Sequence, residues 1–268
     1  MSKRALLVGI DRYAHEPLQG CVQDMYAVQD FLIGEGGFAD YQCLTLPNEY
    51  AHKGAIMQGL DWLVENAEPS EHLLFYFSGH GSQIVTLDAD EEIDGRDEVL
   101  CAHGFDESDR TAIRDKELAR ALERLPEGAR VLCILDVCHA GGMARGEHRA
   151  SKAFPLSDHA RRLNARGAAL GIQLRGFGGG GHARRLVLLA GCEERGSSYE
   201  IRLRDKRGGA FTDALLRELR RPGGLTKDLR AVIDAVRAYL DAAGLNQVPS
   251  CHLPDELHGA GILGGVWR

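Results

Sequence analysis

The chain has 268 residues, 44% of them hydrophobic, which is enough for one large or two small domains with a sizeable core. Its formal net charge of −7 argues against a nucleic-acid partner, and no apolar stretch reaches the roughly 18 residues of a membrane span. The first residues lack the pattern of a secretory signal. Seven cysteines at scattered spacing indicate a reducing compartment without a disulfide framework. We therefore expect a cytoplasmic, monomeric protein.

Strand-like apolar runs alternate with amphipathic segments along most of the chain. The predicted strands are Lys3–Ile10, Tyr41–Leu46, the run before His80, Val99–Cys101, the run from Val131 to Cys138, Arg185–Gly191, Val248–Leu253 and Ala260–Val266. The predicted helices are Cys21–Ile33, Lys53–Asn66, Asp115–Leu125, Phe211–Leu219 and Lys227–Ala242. This alternation predicts an α/β sandwich with a mainly parallel sheet.

Two apolar runs end in reactive side chains. The first delivers His80 between Gly79 and Gly81, and the second delivers Cys138 two residues after Asp136. Parallel strands carry their ligands at their carboxyl ends, so neighbouring strands would bring the imidazole and the thiol together. A base beside a thiol is the arrangement that makes a thiolate nucleophile. The alternative for each residue alone is structural: a packed core thiol and a hydrogen-bonded histidine.

Two segments break the alternation. Leu87–Asp97 is crowded with carboxylates and is predicted to be an exposed acidic loop. Residues 142–184 are rich in Arg and Gly and show no period, so we predict a long connection without regular structure. Such a segment is either a solvated, mobile insertion or one that is cut or rearranged.

Several motifs resemble those of the caspase-like cysteine peptidases, and of their metacaspase branch in particular. They are Tyr76–Gly81, Asp136–Gly141, Leu18–Asp24, Asp90–Glu98, Ala190–Cys192 and Gly209–Leu216. The resemblance extends over nearly the whole chain except the Arg-rich segment. It implies a single caspase-like domain, a three-layer sandwich. Residues 1–141 would be its large-subunit-like part, 142–184 an insertion, and 185–268 its small-subunit-like part.

The resemblance implies a role for each motif residue. Cys138 would attack a peptide carbonyl, His80 would transfer protons, and the backbone N–H groups of Gly81 and Cys138 would hold the oxyanion. Asp24 and Asp136 match the acidic pocket that binds Arg or Lys at P1, the residue whose carbonyl is attacked. The expected partner is thus a protein or peptide substrate, without a cofactor. For Asp24 the alternative is that it only begins or caps a helix.

The resemblance also bears on calcium, which activates many metacaspases. Asp97 and Asp115 fall at the family's calcium-binding carboxylates, whereas Lys116 and Arg145 stand where the family has acidic residues. Two cations in place of two carboxylates weaken such a site. We therefore expect no metal site of the family type, although weak binding by the acidic loop stays open.

Two other functions remain open. The same fold can serve as a catalytically silent scaffold or ligand sensor, and a legumain-like relative would prefer Asn or Asp at P1. Retention of the four site residues argues against the first, and the two pocket aspartates argue against the second. For the insertion, we predict that it shields the cleft and is cut at an arginine such as Arg149, Arg162 or Arg166.

Overall fold

The computed structural model describes residues 2–85, 96–137, 149–152, 154, 186–192, 199–203, 206–254, 257, 261 and 262. Several predictions lie outside these residues. They concern Cys138, Arg145, most of the acidic loop, most of the Arg-rich insertion and most of the predicted strand Ala260–Val266.

The strands of the described residues are, in chain order, β1 (Lys3–Gly9), β2 (Cys43–Pro47), β3 (His72–Ser78), β4 (Gly81–Val85), β5 (Arg96–Cys101), β6 (Ala112–Arg114), β7 (Val131–Asp136), β8 (Arg149–Ser151), β9 (Leu186–Ala190), β10 (Tyr199–Leu203), β11 (Lys206–Gly209) and β12 (Ser250–His252). The helices are α1 (Cys21–Gly34), α2 (Lys53–Val64), α3 (Asp115–Glu123), α4 (Ala210–Leu219) and α5 (Leu229–Ala242).

A six-stranded sheet forms the middle of the fold, in the order β12–β9–β7–β3–β1–β2. Its strands are parallel except β12, which runs antiparallel to β9. Two three-stranded antiparallel sheets, β4–β5–β6 and β8–β10–β11, are separate from it. The predicted α/β sandwich with a mainly parallel sheet is confirmed.

Helices cover both faces of the central sheet, because alternate residues of each strand point to opposite sides. On one face, Phe75 and Phe77 of β3 share a buried cluster with residues of α2 and α3. On the other, Leu74 and Tyr76 share a second cluster with residues of α1, α4 and α5. Burial on both faces explains why these strands are almost continuously apolar. No helix of the described residues has the length and apolarity needed to cross a membrane.

The long elements agree with prediction, but the short ones do not. The predicted helix Cys21–Ile33 corresponds to α1, and the predicted strand Arg185–Gly191 to β9. Strands β4, β6, β8, β10 and β11 were not predicted, because runs of three to five residues carry little periodic signal and pair with distant partners. The prediction that 142–184 lacks regular structure is wrong for Arg149–Ser151, which form β8.

Candidate active site

The strands that precede the two predicted catalytic residues are neighbours in the sheet. β3 and β7 run parallel, and their register pairs Ser78 with Asp136. His80 follows Ser78 by two residues, and Cys138 follows Asp136 by two. The predicted adjacency of the strands is therefore confirmed, and their carboxyl ends meet at one edge of the sheet. Cys138 itself lies outside the described residues.

The ring of His80 is buried and held on one side by backbone. Its Nε2 lies 2.7 Å from the carbonyl oxygen of Glu16, a residue in the left-handed region with φ +52°. A carbonyl only accepts hydrogen bonds, so in the neutral ring Nε2 carries the proton and Nδ1 keeps the lone pair. The His80 backbone N–H donates to the Tyr13 hydroxyl at 3.0 Å, and the two rings lie 4.6 Å apart. These contacts fix the orientation of the imidazole.

The surroundings of His80 keep it neutral. Burial lowers its pKa, and the carbonyl of Glu16 and the backbone of Lys152 oppose that shift only in part. A neutral imidazole at neutral pH is able to accept a proton from a nearby thiol.

Two buried carboxylates form a pocket at the same edge of the sheet. Asp24 comes from the first turn of α1, and Asp136 ends β7. The Asp24 Oδ2 accepts hydrogen bonds from the Gly209 N–H at 2.8 Å and from the Ser78 hydroxyl at 3.3 Å. The Asp136 Oδ2 accepts one from the Thr212 hydroxyl at 2.7 Å. Asp24 therefore lies in the first turn of α1 and also contacts Ser78 and Gly209.

The ammonium group of Lys152 fills this pocket. Its Nζ lies 3.0 Å from the Asp136 Oδ2 and 3.5 Å from the Asp24 Oδ2, and it donates to the Ser78 Oγ at 2.8 Å. Lys152 has no exposed surface. A buried cation is tolerated only with such partners. The two carboxylates and Ser78 thus bind a primary ammonium that the chain itself supplies.

The pocket shifts the protonation of its own members. Burial raises the pKa of Asp24 to about 7, even though the Lys152 ammonium acts to lower it. Burial by itself lowers the pKa of Lys152, but the surrounding negative charges, Asp136 foremost, more than offset this and hold it well above its usual range. Lys152 is therefore charged, and its partners balance most of that charge.

The predicted oxyanion donor contacts the same lysine through the backbone. The Gly81 N–H donates to the Lys152 carbonyl oxygen at 3.0 Å. The side chain of Lys152 thus lies in the acidic pocket while its carbonyl meets the N–H group assigned from sequence to the oxyanion.

Asp97 was predicted to lie in an exposed acidic loop, but it is buried in β5 and paired with two protein cations. This carboxylate is 2% exposed; the Lys116 Nζ lies 3.1 Å from its Oδ1, and the Arg114 guanidinium pairs with its Oδ2. The Asp115 carboxylate accepts a hydrogen bond from the Lys116 backbone N–H at 2.8 Å. These pairs balance the charge of Asp97. Lys116 is one of the two cations that argue from sequence against a calcium site, and the other, Arg145, lies outside the described residues.

A second group of potential metal ligands lies beside α1. Donor atoms of Asp11, Cys21 and Glu200 come within 4.8 Å of one another. However, Asp11 accepts a hydrogen bond from the Cys21 N–H at 2.7 Å, and Glu200 accepts from the N–H groups of Gln19 and Gly20. Glu200 thus ties β10 to the residues before α1, and the half-buried Asp11 accepts from the first N–H groups of that helix.

Sequence reasoning missed several residues of the site. Glu16 contributes only a backbone carbonyl and leaves no trace in the sequence. Ser78 and Thr212 lie inside motifs that resemble those of the family, but the sequence analysis assigned no role to either residue. Lys152 had one signal: it is the single lysine among many arginines between residues 142 and 184.

The fold is that of the caspase-like proteins. Over the full length of both chains, protein GSU0716 from Geobacter sulfurreducens superimposes with a TM-score of 0.71 at 23% identity. Caspase-1 from Spodoptera frugiperda superimposes with a TM-score of 0.57 at 16% identity, over 94% of this chain and 86% of its own.

Sequence comparison identifies the family. The family model described as "Metacaspase, peptidase C14 domain" matches residues 3–145, just over half of the chain. The chain therefore belongs to the metacaspase family. Similar proteins include Metacaspase-1 of Cryptococcus neoformans (36% identity) and of Schizosaccharomyces pombe (32%), and Metacaspase-1A of Aspergillus fumigatus (35%). Each match covers 52% of this chain and 32%, 34% and 35% of those proteins, respectively, so the match spans about a third of their length.

Proposed function

We propose that this protein is a cysteine endopeptidase that hydrolyses peptide bonds after Lys or Arg, with Cys138 as nucleophile and His80 as proton-transfer residue. One observation carries the proposal. A primary ammonium is held between Asp24, Asp136 and Ser78, and the carbonyl of the same residue meets the Gly81 N–H. Family membership supports the chemistry, and the pocket supports the specificity.

The pocket accounts for a preference for cations. Asp136 has no exposed surface and Asp24 is 5% exposed, so both depend on a bound cation for charge compensation. Breaking a buried ion pair by removing one partner costs about 3–5 kcal/mol. A neutral P1 side chain would leave the carboxylates unpaired, and an acidic one would add repulsion. This disfavours a legumain-like preference for Asn or Asp.

The histidine accounts for activation of the thiol. Because Nε2 is engaged by the Glu16 carbonyl, Nδ1 is the atom that accepts the Cys138 proton. The thiolate attacks the P1 carbonyl, and the N–H groups of Gly81 and Cys138 stabilise the oxyanion. His80 then protonates the leaving amine and activates the water that hydrolyses the thioester. Losing one oxyanion donor typically costs about 10²–10³ in rate.

The test compares Cys138→Ala with wild type on fluorogenic Lys, Arg, Asn and Asp peptides. We expect cleavage after Lys and Arg only, and loss of essentially all of it in the variant. His80→Ala should lose nearly as much, and the double variant little more, because members of a catalytic unit are not additive. Cys43→Ala, which changes a half-buried thiol on β2, is the matched control and should stay active. Substantial activity in Cys138→Ala would reject this mechanism, and inactive wild type would favour the scaffold function.

A further inference from the structure

We infer that Arg149–Lys152 and Phe154 lie in the site as parts of the protein's own substrate, with Lys152 at P1 and the Lys152–Ala153 bond as the one that is cut. This inference rests on the proposed function, because it uses the same catalytic residues. It replaces the sequence-based expectation of cleavage after an arginine with one defined lysine.

The backbone of Lys152 lies where an attacked carbonyl is needed. Its oxygen accepts the Gly81 N–H at 3.0 Å, and the same backbone lies close enough to His80 to oppose in part the lowering of that ring's pKa by burial. A lysine that served only as a counter-ion for Asp24 and Asp136 would have no reason to present its carbonyl to these two residues.

The residues before Lys152 are bound as a strand. β8 pairs antiparallel with β10, with Ser151 opposite Tyr199, Ala150 opposite Glu200 and Arg149 opposite Ile201. Addition of an extended peptide to an exposed sheet edge is a common way of binding peptides, because it uses main-chain hydrogen bonds. The three residues Arg149–Ser151, directly before Lys152, are therefore bound in the extended form that a protease requires.

The residues after Lys152 continue across the site. The Phe154 N–H donates to the Gly81 carbonyl at 2.9 Å, so Gly81 bonds to the chain on both sides of the 152–153 peptide bond. The Phe154 ring is 5% exposed and packs edge-on against His80 at 5.5 Å and against Phe105 at 4.8 Å. The segment thus covers the histidine and excludes other substrates while it is bound.

The reaction needs only water as co-reactant. The Cys138 sulfur bonds to the Lys152 carbonyl carbon, and the C–N bond to Ala153 breaks. The Ala153 amine leaves with the proton that His80 took from the thiol. Water then hydrolyses the thioester with His80 as base, which restores the thiol and leaves Lys152 as a C-terminal carboxylate.

The first experiment is intact-mass analysis of the purified full chain. Wild type should give fragments 1–152 and 153–268, Cys138→Ala should stay whole, and the rate of cutting should not depend on protein concentration, as expected for an intramolecular reaction. Lys152→Arg should still be cut, since the pocket accepts either cation. Lys152→Gln and Ala153→Pro should not be cut, because the first removes the charge and the second makes the bond a tertiary amide. Lys227→Gln, which changes a partly exposed lysine paired with Glu218, is the control and should be cut like wild type.

A second measurement separates this inference from the proposed function. Acetyl-Arg-Ala-Ser-Lys-aminomethylcoumarin is added to wild type, Lys152→Gln and Ala153→Pro. We expect Lys152→Gln to cleave it, because its pocket lacks the internal cation, and Ala153→Pro to be at least about tenfold slower, because its pocket stays occupied. Cleavage of this peptide without any cut after Lys152 in wild type would overturn the inference and leave the proposed function standing. No cleavage of the peptide by any of the three would overturn the proposed function.

Discussion

The Lys152 Nζ lies 3.0 Å from the Asp136 Oδ2, and neither side chain has any exposed surface. The two residues come from different parts of the fold: Asp136 ends a central strand, and Lys152 follows a short strand of a separate sheet. Desolvation of such a pair is offset only by good geometry and further hydrogen bonds. Ser78 and Thr212 supply those bonds. The pair therefore supports the proposed binding of a P1 cation by the same carboxylates.

Asp136→Asn should lower kcat/KM for Lys and Arg peptides by at least about 100-fold, corresponding to about 3 kcal/mol or more, because an amide cannot neutralise the P1 cation. The amide oxygen can still accept the Thr212 hydroxyl, so the fold should persist. Steady-state kinetics with a lysyl peptide measures the loss, and alkylation of Cys138 checks that the nucleophile remains reactive. Asp234→Asn, on the exposed face of α5, is the control. Unchanged kinetics in Asp136→Asn would remove this residue from the pocket.

Gly209→Ala should disable the pocket by sterics alone. A Cβ atom at Gly209 would lie 2.0 Å from the Asp136 Oδ2, 2.7 Å from the Lys152 Nζ and 2.8 Å from the Asp24 Oδ2. These distances are far inside van der Waals contact, so the carboxylates must move apart. We expect a loss of about 100-fold or more in activity on lysyl peptides.

Gly34→Ala is the matched control for that substitution, since nothing lies within 4 Å of a Cβ there. Thermal unfolding and lysyl-peptide kinetics should be measured on both variants. Full activity in Gly209→Ala would mean that the pocket tolerates a methyl group, and the arrangement of the two carboxylates would then not determine specificity.

Activity on lysyl peptides should fall as the pH drops through about 7. Burial raises the pKa of Asp24 to about 7, so below that pH the pocket loses one of its two negative charges. His80 does not cause this loss of activity, because burial lowers its pKa and the ring is protonated only at lower pH. A profile of kcat/KM against pH measures the effect. In Asp24→Asn the fall near pH 7 should disappear, and the highest value of kcat/KM should be lower than in wild type.

The raised pKa of Asp24 also predicts how the free energy of unfolding depends on pH. The folded state binds the Asp24 proton more tightly than the unfolded state, whose carboxyl has a pKa of 3.8. This contribution to the free energy of unfolding is complete below about pH 4 and is lost as the pH rises to about 7. Chemical denaturation of wild type and Asp24→Asn at several pH values should show a flatter dependence in the variant. If the free energy of unfolding had the same pH dependence in wild type and in Asp24→Asn, the raised pKa of Asp24 would be contradicted.

Millimolar calcium should change peptidase activity little. The Asp97 carboxylate is already paired with the Lys116 ammonium at 3.1 Å and with Arg114. Lys116→Asp should create a calcium response, because it replaces a cation with the oxygen ligand that this ion prefers. The test measures the peptidase activity of wild type and of Lys116→Asp during titration with calcium and then with a chelator. A steep calcium requirement in wild type, abolished by Asp97→Ala, would show instead that other carboxylates form a site.

The sequence by itself determined the central sheet, its main helices and the motif residues of the site. Buried parallel strands and amphipathic helices carry their pattern within 5–14 residues, so a run such as Leu6, Leu7 and Val8 identifies its own environment. The reactive residues were recognisable because they follow such runs directly. The roles of His80 and Asp136 came from the resemblance of the motifs that contain them to those of the caspase-like peptidases.

Only the tertiary structure decided what occupies the pocket. Lys152 meets Asp24 and Asp136 because β8 pairs with β10, about 50 residues further along, and no local pattern in a three-residue strand announces that partner. The Glu16 carbonyl that orients His80 is equally invisible, since every residue has a carbonyl. Local periodicity records which face of an element is buried, whereas the choice of one lysine for one pocket depends on long-range pairing.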